Sequence, residues 1–371
     1  MNMKTRRILL VVVIILAVLA IIAVVALGPA ELLRRIAPNE VLSLNRAGVV
    51  TLTKGEEFGR SITISGQYAY ITTWTLPAKV VAIDISNPRS PTRVGAVTLA
   101  EGEDLGQSIA ISDRYAYITT NTSPAKVVAI DISNPRSPTR VGAVTLAEGE
   151  NNGHSIAISD QYAYITTGAH PSKVVAIDIS NPRSPTRVGA VTLAEGEDNG
   201  HSIAIFDRYA YITTDTSPAK VVAVDISNPR NPIRVGEVTL TGENYGRSIT
   251  ISGQYAYITT WTLPAKVVAI DISNPRSPTR VGAVTLAEDE NFGHSIAISG
   301  RYAYITTGTS PSKVVAIDIS NPSSPTRAGA VTLAEGEDNG HSITISGRYA
   351  YITTWTFPTK VIAVELTTPE N

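Results

Sequence analysis

Short apolar runs and polar turns alternate along residues 45–366, and the alternation itself recurs about every 47 residues. One acidic residue marks the period: Asp84, Asp131, Asp178, Asp225, Asp271, Asp318 and Glu365, at steps of 47, 47, 47, 46, 47 and 47. The second copy, residues 107–146, holds four runs: Q-S-I-A-I-S, Y-A-Y-I-T-T, K-V-V-A-I-D-I and T-R-V-G-A-V-T-L. Each is rich in Ile, Val, Tyr or Thr and bounded by Gly, Pro, Asn or Asp, which is the composition of strands and turns. Pro135 and Pro138 prevent a helix across the third gap, because proline lacks an amide donor and restricts the residue before it. The runs stay apolar at successive positions, as in Val127-Val128-Ala129-Ile130. A sheet wetted on one side would alternate strictly, so both faces of these strands are predicted to be covered.

No such unit buries its apolar face alone, so neighbours must pack on one another. Four strands per unit with both faces covered predict an all-β, seven-bladed β-propeller of four-stranded blades; an open β-solenoid is the alternative. The termini favour the ring. The seventh copy stops after residues 360–366 without a fourth strand, yet residues 45–52 match residues 92–99 one period later. Residues 45–52 are therefore expected to complete the blade begun at His341, hiding two edges that would otherwise pair with other chains.

The third run, Val80-Val81-Ala82-Ile83-Asp84 and its copies, is followed by Ile-Ser-Asn-Pro and preceded by Tyr-Ala-Tyr. With the following N-P-x-x-P-x-x-x-G, it resembles the LVIVD repeat family over essentially all of residues 45–366. The resemblance implies a β-propeller-like protein of bacterial or archaeal surfaces, and it brings no catalytic residues. This chain writes V-V-A-I-D in place of L-V-I-V-D, and the last copy departs further with Glu365 and Thr367-Thr368-Pro369.

Charge and composition narrow the classes. A net charge of −1 argues against a nucleic-acid binder, which would carry a strong basic excess. Cysteine is absent, so disulfides, thiolate nucleophiles and thiolate metal sites are excluded. Residues 8–27 are apolar without a charge and follow Lys4, Arg6 and Arg7. That length spans a hydrocarbon core about 30 Å thick, and the flanking charge keeps the N-terminus cytoplasmic. A cleaved signal peptide, with small residues at Ala23 and Ala26, is the alternative, but such apolar regions run roughly 7–15 residues. The expected organisation is a cytoplasmic segment 1–7, a signal-anchor helix 8–27, a tether 28–44 and a propeller 45–371 lying outside the membrane, at the cell surface or in the periplasm. The propeller itself is expected to be monomeric.

In a propeller the first strand of each blade lies nearest the axis, and successive loops emerge on opposite faces. The turns after the third strands carry Arg89, Arg136, Arg183, Arg230 and Arg276 on what is here called the lower face, with Arg93, Arg140, Arg187, Arg234, Arg280 and Arg327 nearby. The tether is expected to enter on that face, so these arginines are candidates to face anionic lipid, each worth about 1 kcal/mol there. A plain solubilising cover is the competing explanation. The upper face holds nearly all the differences between copies. Its crossover loops read E-E-F-G-R, E-D-L-G-Q, E-N-N-G-H, E-D-N-G-H, E-N-Y-G-R, E-N-F-G-H and E-D-N-G-H. Its other loops read W-T-L-P, N-T-S-P, G-A-H-P, D-T-S-P, W-T-L-P, G-T-S-P and W-T-F-P. Loops that vary on a constant scaffold are where recognition sits, and Trp74, Trp261 and Trp355 are candidate anchors.

Arg60, Gln107, His154, His201, Arg247, His294 and His341 are expected to ring the upper mouth of the axial channel. The four histidines, near Glu150, Glu197, Asp198, Glu337 and Asp338, are the candidate ligands for a divalent metal; no other cofactor is indicated. The E-G-E-D-N-G loops lack the acidic residue that closes a calcium loop, since position twelve from Glu195 is Phe206. The Asp84-type carboxylates read as structural groups that cap the Ser-Asn-Pro turn. Asn121-Thr122-Ser123 is a glycosylation sequon that matters only in a eukaryotic host. An active site needs unlike groups with unlike jobs, and here the polar singletons are few: Asn121, His170 and Asp215. The expected function is a non-enzymatic binding or scaffold module that recognises protein or glycan through the upper face. The alternative is a propeller hydrolase or redox enzyme with a metal at the histidine-lined mouth. A recent amplification with little-elaborated ligand use is a third explanation.

Overall fold

Each apolar run becomes a strand, and each Gly, Pro or Asp boundary becomes the turn that ends it. In the computed structural model the first blade comprises Gly59–Ser65, Tyr68–Thr73, Lys79–Asp84 and Thr92–Thr98, hydrogen-bonded antiparallel in that order. The two-residue hairpin after the inner strand needs a positive φ at its first residue. Gly66 supplies it at +56°, and Asp113, Asp160 and Asp207 do so at +51° to +54° in other blades. The second and third strands are buried along nearly their whole length, which is why their sequences do not alternate.

The structure describes residues 42–367, of which 43–366 form one compact unit. The expected anchor at 8–27 and most of the tether fall outside the described residues. Among the described residues no helix is long and apolar enough to cross a membrane.

Among the described residues there are seven four-stranded sheets, and each inner strand packs beside the next, the last beside the first. The last sheet runs Ser43–Thr51, Lys360–Thr367, Tyr349–Thr354, Gly340–Ser346. The N-terminal strand thus completes the C-terminal blade, as the split repeat implied, starting at Ser43 rather than at residue 45. The open solenoid is excluded.

Blades are joined by cores shared between neighbours rather than by cores of their own. Tyr70, Val80 and Ala82 of the first blade pack with Ile109, Ile118, Val128 and Ile130 of the second. The same contact closes the circle where Tyr351, Val361 and Ala363 meet Ile62, Ile71 and Val81. Burying an Ile or Val side chain contributes about 1.5–3 kcal/mol, so the ring is stabilised mainly at these seams. The second-strand tyrosine adds a polar link. Tyr70 Oη donates to the Ile132 carbonyl at 3.3 Å, and Tyr351 Oη to the Ile85 carbonyl at 3.5 Å across the closure.

The outer strand approaches the next blade so closely that only glycine fits. A Cβ on Gly142 would lie 2.3 Å from the Pro182 carbonyl oxygen, and Gly48, Gly95 and Gly189 meet the equivalent backbone. Because the obstacle is backbone, neither partner can turn aside. Gly142→Ala is therefore expected to destabilise the propeller by about 1–3 kcal/mol, measured as a fall in denaturation midpoint; an unchanged midpoint would refute this account of the seam.

Candidate functional site

The upper face rests on seven ion pairs, one per blade. Arg46–Glu337, Arg93–Glu56, Arg140–Glu103, Arg187–Glu150, Arg234–Glu197, Arg280–Glu243 and Arg327–Glu290 each join an outer strand to the crossover loop leading into the same blade. The glutamates are buried and the arginines about one-third exposed: 2% and 30% for Glu56 and Arg93. Most glutamates also accept the backbone amide three residues earlier, as Glu150 Oε2 does from Ala147 at 2.9 Å. Burial raises the Glu150 carboxyl, but the hydrogen bonds from Arg187 and Ala147 outweigh it, and its pKa falls below the ordinary value. This corrects two expectations. Glu150, Glu197 and Glu337 are committed to arginines and do not gather around the histidines, and Arg93 and its counterparts are loop fasteners rather than lower-face cover. The sequence held a signal for the pairs: a Glu and an Arg stand 37 residues apart in six copies, and the leftover Arg46 matches the leftover Glu337.

With the loop base fixed, its next turn is forced into an unusual conformation. The residue before the inner-strand glycine has positive φ in every blade: Phe58, Leu105, Asn152, Asn199, Tyr245, Phe292 and Asn339, at +48° to +57°. Asparagine tolerates this region, whereas a bulky residue there costs roughly 1–2 kcal/mol. Four blades therefore hold large apolar side chains where three hold the residue the backbone prefers. The loops between second and third strands each contain a cis X-Pro peptide, for example Leu76-Pro77. In six of them a threonine hydroxyl donates to the proline carbonyl, as Thr75 Oγ1 does to Pro77 at 2.9 Å.

These two loop sets bring the tryptophans together unevenly. Trp74 and Trp355 lie 5.1 Å apart by ring centroids, and Trp355 also contacts Phe58 at 5.3 Å and His341 at 5.3 Å. Trp261 packs on Phe292 at 4.9 Å. The three expected anchors are therefore two clusters, one over the closure and one between the fifth and sixth blades. Beside the first, Phe58, Trp74, Leu76 and Leu105 line a cleft of about 740 Å³ with Glu57 and Lys79 at its polar edge. The loop tips Leu76, Leu263 and Phe357 are 73%, 67% and 70% exposed.

The seven predicted mouth residues do form a ring. Arg60 donates from Nε to Gln107 Oε1 at 3.0 Å and from Nη1 to His341 Nε2 at 2.6 Å, with its guanidinium 4.9 Å over Trp355. His154 and His201 are 5.5 Å apart, and His294 and His341 are 4.9 Å apart. His341 Nδ1 donates to the Arg60 carbonyl at 2.9 Å and His201 Nδ1 to the Arg247 carbonyl at 2.6 Å. Arg247 bonds Asp215 at 3.1 Å and lies 4.8 Å over Trp261. Burial, then the nearby Arg60 and Arg247, push His154 down to about 4; burial, then Arg247 and Arg60, push His294 down to about 3. His201 and His341 fall well below the ordinary value, chiefly through burial. Four neutral imidazoles result, two of them with fixed tautomers. Among the described residues no group of three or more His, Asp or Glu side chains converges as a metal site would.

On the lower face Arg89, Arg136, Arg183, Arg230 and Arg276 are all exposed. Arg89 lies 3.9 Å from Glu365, and the amides of Arg89, Arg136, Arg183, Arg230 and Arg276 donate to the preceding turn asparagines. Arg114 and Arg208 stack on Tyr115 and Tyr209 at 5.1 and 5.2 Å. Asp84 accepts the Ser86 amide at 2.9 Å, and Asp131, Asp178, Asp225, Asp271 and Asp318 repeat the bond, the turn-capping role read from the sequence.

The LVIVD repeat signature matches residues 59–98, 106–145, 152–192, 199–240, 244–285, 293–332 and 339–356. No curated protein matches the chain. Among solved structures, the chain is similar to a hypothetical selenium-binding protein from Sulfolobus tokodaii, at 13% identity and TM-score 0.61, covering 79% of this chain and 80% of that one. It is also similar to the Myceliophteria thermophila Cps50 (Swd1) β-propeller domain, at 10% identity and TM-score 0.66, covering 88% and 100%. The computationally designed Ika8 protein matches at 10% identity and TM-score 0.55, covering 85% and 99%. At these identities the likeness concerns the fold alone.

Two measurements test this description. Glu150→Ala should cost about 2 kcal/mol, because it leaves a cation and a backbone amide without their acceptor; Glu150→Gln should cost less, and a double-mutant cycle with Arg187→Met should show coupling. Stability should also fall between about pH 6.5 and pH 4. There the unfolded chain takes up protons on its histidines while the folded ring refuses them, so stability rises with pH across that window and levels off above it. The glutamate pairs, with lowered pKa values, add a further loss only below about pH 4.5. A His154→Gln, His294→Gln variant, carrying the side chain that Gln107 already places in the ring, should flatten the upper window in pH-dependent melting.

Proposed function

The chain belongs to the LVIVD repeat family, and on that premise we propose that it is a membrane-anchored, extracytoplasmic binding module whose upper face docks a partner protein. The observation that carries this reading is where the copies differ. Second and third strands are nearly constant in sequence, whereas large apolar side chains appear on one face in some copies and not in others. Leu76, Leu263 and Phe357 stand where other blades place Ser123, Ser217 and Ser310 in the same cis-prolyl loop. Phe58, Leu105, Tyr245 and Phe292 occupy a left-handed position that asparagine fills without strain in the other three blades. Neither set is required by the fold, since serine and asparagine blades adopt the same backbone. Exposed apolar tips, and neighbouring apolar groups held in a strained backbone beside them, point to contact with something else. Aromatic centres surrounded by polar rims are the anatomy of protein interfaces, and the 740 Å³ cleft beside Trp74 would receive an apolar side chain of the partner.

The apolar segment at residues 8–27 supplies the anchor, with the N-terminus cytoplasmic. The five exposed lower-face arginines are suited to anionic lipid. An enzymatic reading is less well supported: the carboxylates expected near the histidines are held by arginines instead.

The test is the triple variant Leu76→Ser, Leu263→Ser, Phe357→Ser. It places serine, at exposed loop tips, where three other blades already carry it before the cis proline, so its melting temperature should stay within about 1–2 °C of the parent. Chemical crosslinking of the full chain in the membranes of cells expressing it should give a discrete heteromeric product that the variant loses. A product of equal yield from the variant, or glycan-array binding without any protein crosslink, would overturn the reading.

A further inference from the structure

The centre of the upper face carries an imbalance that the loop tips do not explain. The first and fifth copies are identical over residues 59–101 and 246–288, and only these two place an arginine in the ring. Arg60 is surrounded by neutral partners: Gln107, the imidazole of His341 and the face of Trp355. Among the described residues no carboxylate pairs with it. Arg247 has one carboxylate, Asp215, which bonds Nη1 only, and its Nε is buried without a partner. His154 Nδ1 is likewise buried and unpartnered.

A guanidinium carries five N–H donors and no acceptor. Arg60 spends one on Gln107 and one on His341; Arg247 spends one on Asp215. The seven glutamates of the crossover loops cannot help, because each is held by its own outer-strand arginine. Two cations therefore share a partly enclosed mouth with a single carboxylate. They repel each other: burial and then Arg247 lower the Arg60 pKa to about 9. A desolvated charge without a counter-charge is costly, and natural structures satisfy it with an opposite charge. The histidines, all held below their ordinary pKa, add no competing charge at neutral pH.

We infer that the mouth of the axial channel is a receptor for a small anionic oxygen group, a carboxylate or a tetrahedral oxyanion, held between Arg60 and Arg247. Guanidinium edges match both chemistries through paired, charge-assisted hydrogen bonds. Trp355 and Trp261 each cover one guanidinium face and direct binding to the edges that remain. Asp215 competes for the same donors and sets the affinity from within. The site uses none of Leu76, Leu263 and Phe357, so it and the docking surface can fail independently.

The experiment is thermal shift and calorimetric titration of the full chain in detergent micelles, with sodium phosphate, sulfate, acetate and chloride at constant ionic strength. Saturable stabilisation by at least one oxygen anion above the chloride baseline is expected. Phosphate and sulfate alone would assign a tetrahedral oxyanion, and acetate a carboxylate. Arg60→Gln and Arg247→His place side chains that the ring already carries in other blades, so both should fold, and each should weaken binding by about tenfold or more. Asp215→Asn should strengthen it. The inference is overturned if no anion exceeds chloride in the parent protein, or if the Arg60→Gln, Arg247→His double variant retains the shift.

Discussion

Arg46 and Glu337 are 291 residues apart, yet they form a two-pronged ion pair on the upper side of the last blade. Around that pair the strand Ser43–Thr51 lies on Lys360–Thr367, and the Gly59 amide donates to Thr359 Oγ1 at 2.7 Å. Without this closure two sheet edges and two apolar seams would face water, and both are hazards for a β protein. Every other feature inherits its geometry from it. The inner strands can surround an axis only if the ring is complete, and the seven mouth residues converge only because the inner strands do.

The repeated units separate two demands that most folds mix. Stability is assigned to what is constant: the tyrosine links, the glycine seams, the apolar second and third strands, and the glutamate–arginine fasteners. Variation is confined to positions whose backbone is already held by those parts. This explains how Phe58 or Tyr245 can occupy a left-handed conformation. The buried glutamate two residues earlier is bonded to an arginine in a separate strand, so the turn stays in place whatever side chain it carries.

The mouth shows how burial changes the meaning of a residue type. Histidine beside acidic loops reads as a metal ligand or a proton carrier. Here the imidazoles face one another and two guanidinium groups, so the charged form is disfavoured, first by lost solvation and then by like charge. The surplus in the ring is in cationic donors, which is the opposite of what a metal requires.

Much of this was legible in the sequence. The 47-residue period fixed seven blades, the split copy fixed the closure, and the position of each variable residue within its copy fixed the face on which it would lie. These inferences rest on local propensities and counting, which need no coordinates. Other properties depend on distances between residues of different blades, and no single copy contains them. Trp74 and Trp355 merge into one cluster because closure brings the first and last blades together. Glu150 is withdrawn from the histidines because Arg187 reaches it across the sheet. Arg60 lacks a counter-charge because its neighbours in the ring, Gln107 and His341, are neutral. The chain alone determined what the parts are and how many; the ring decided which of them meet, since charge and burial are set by neighbours in space.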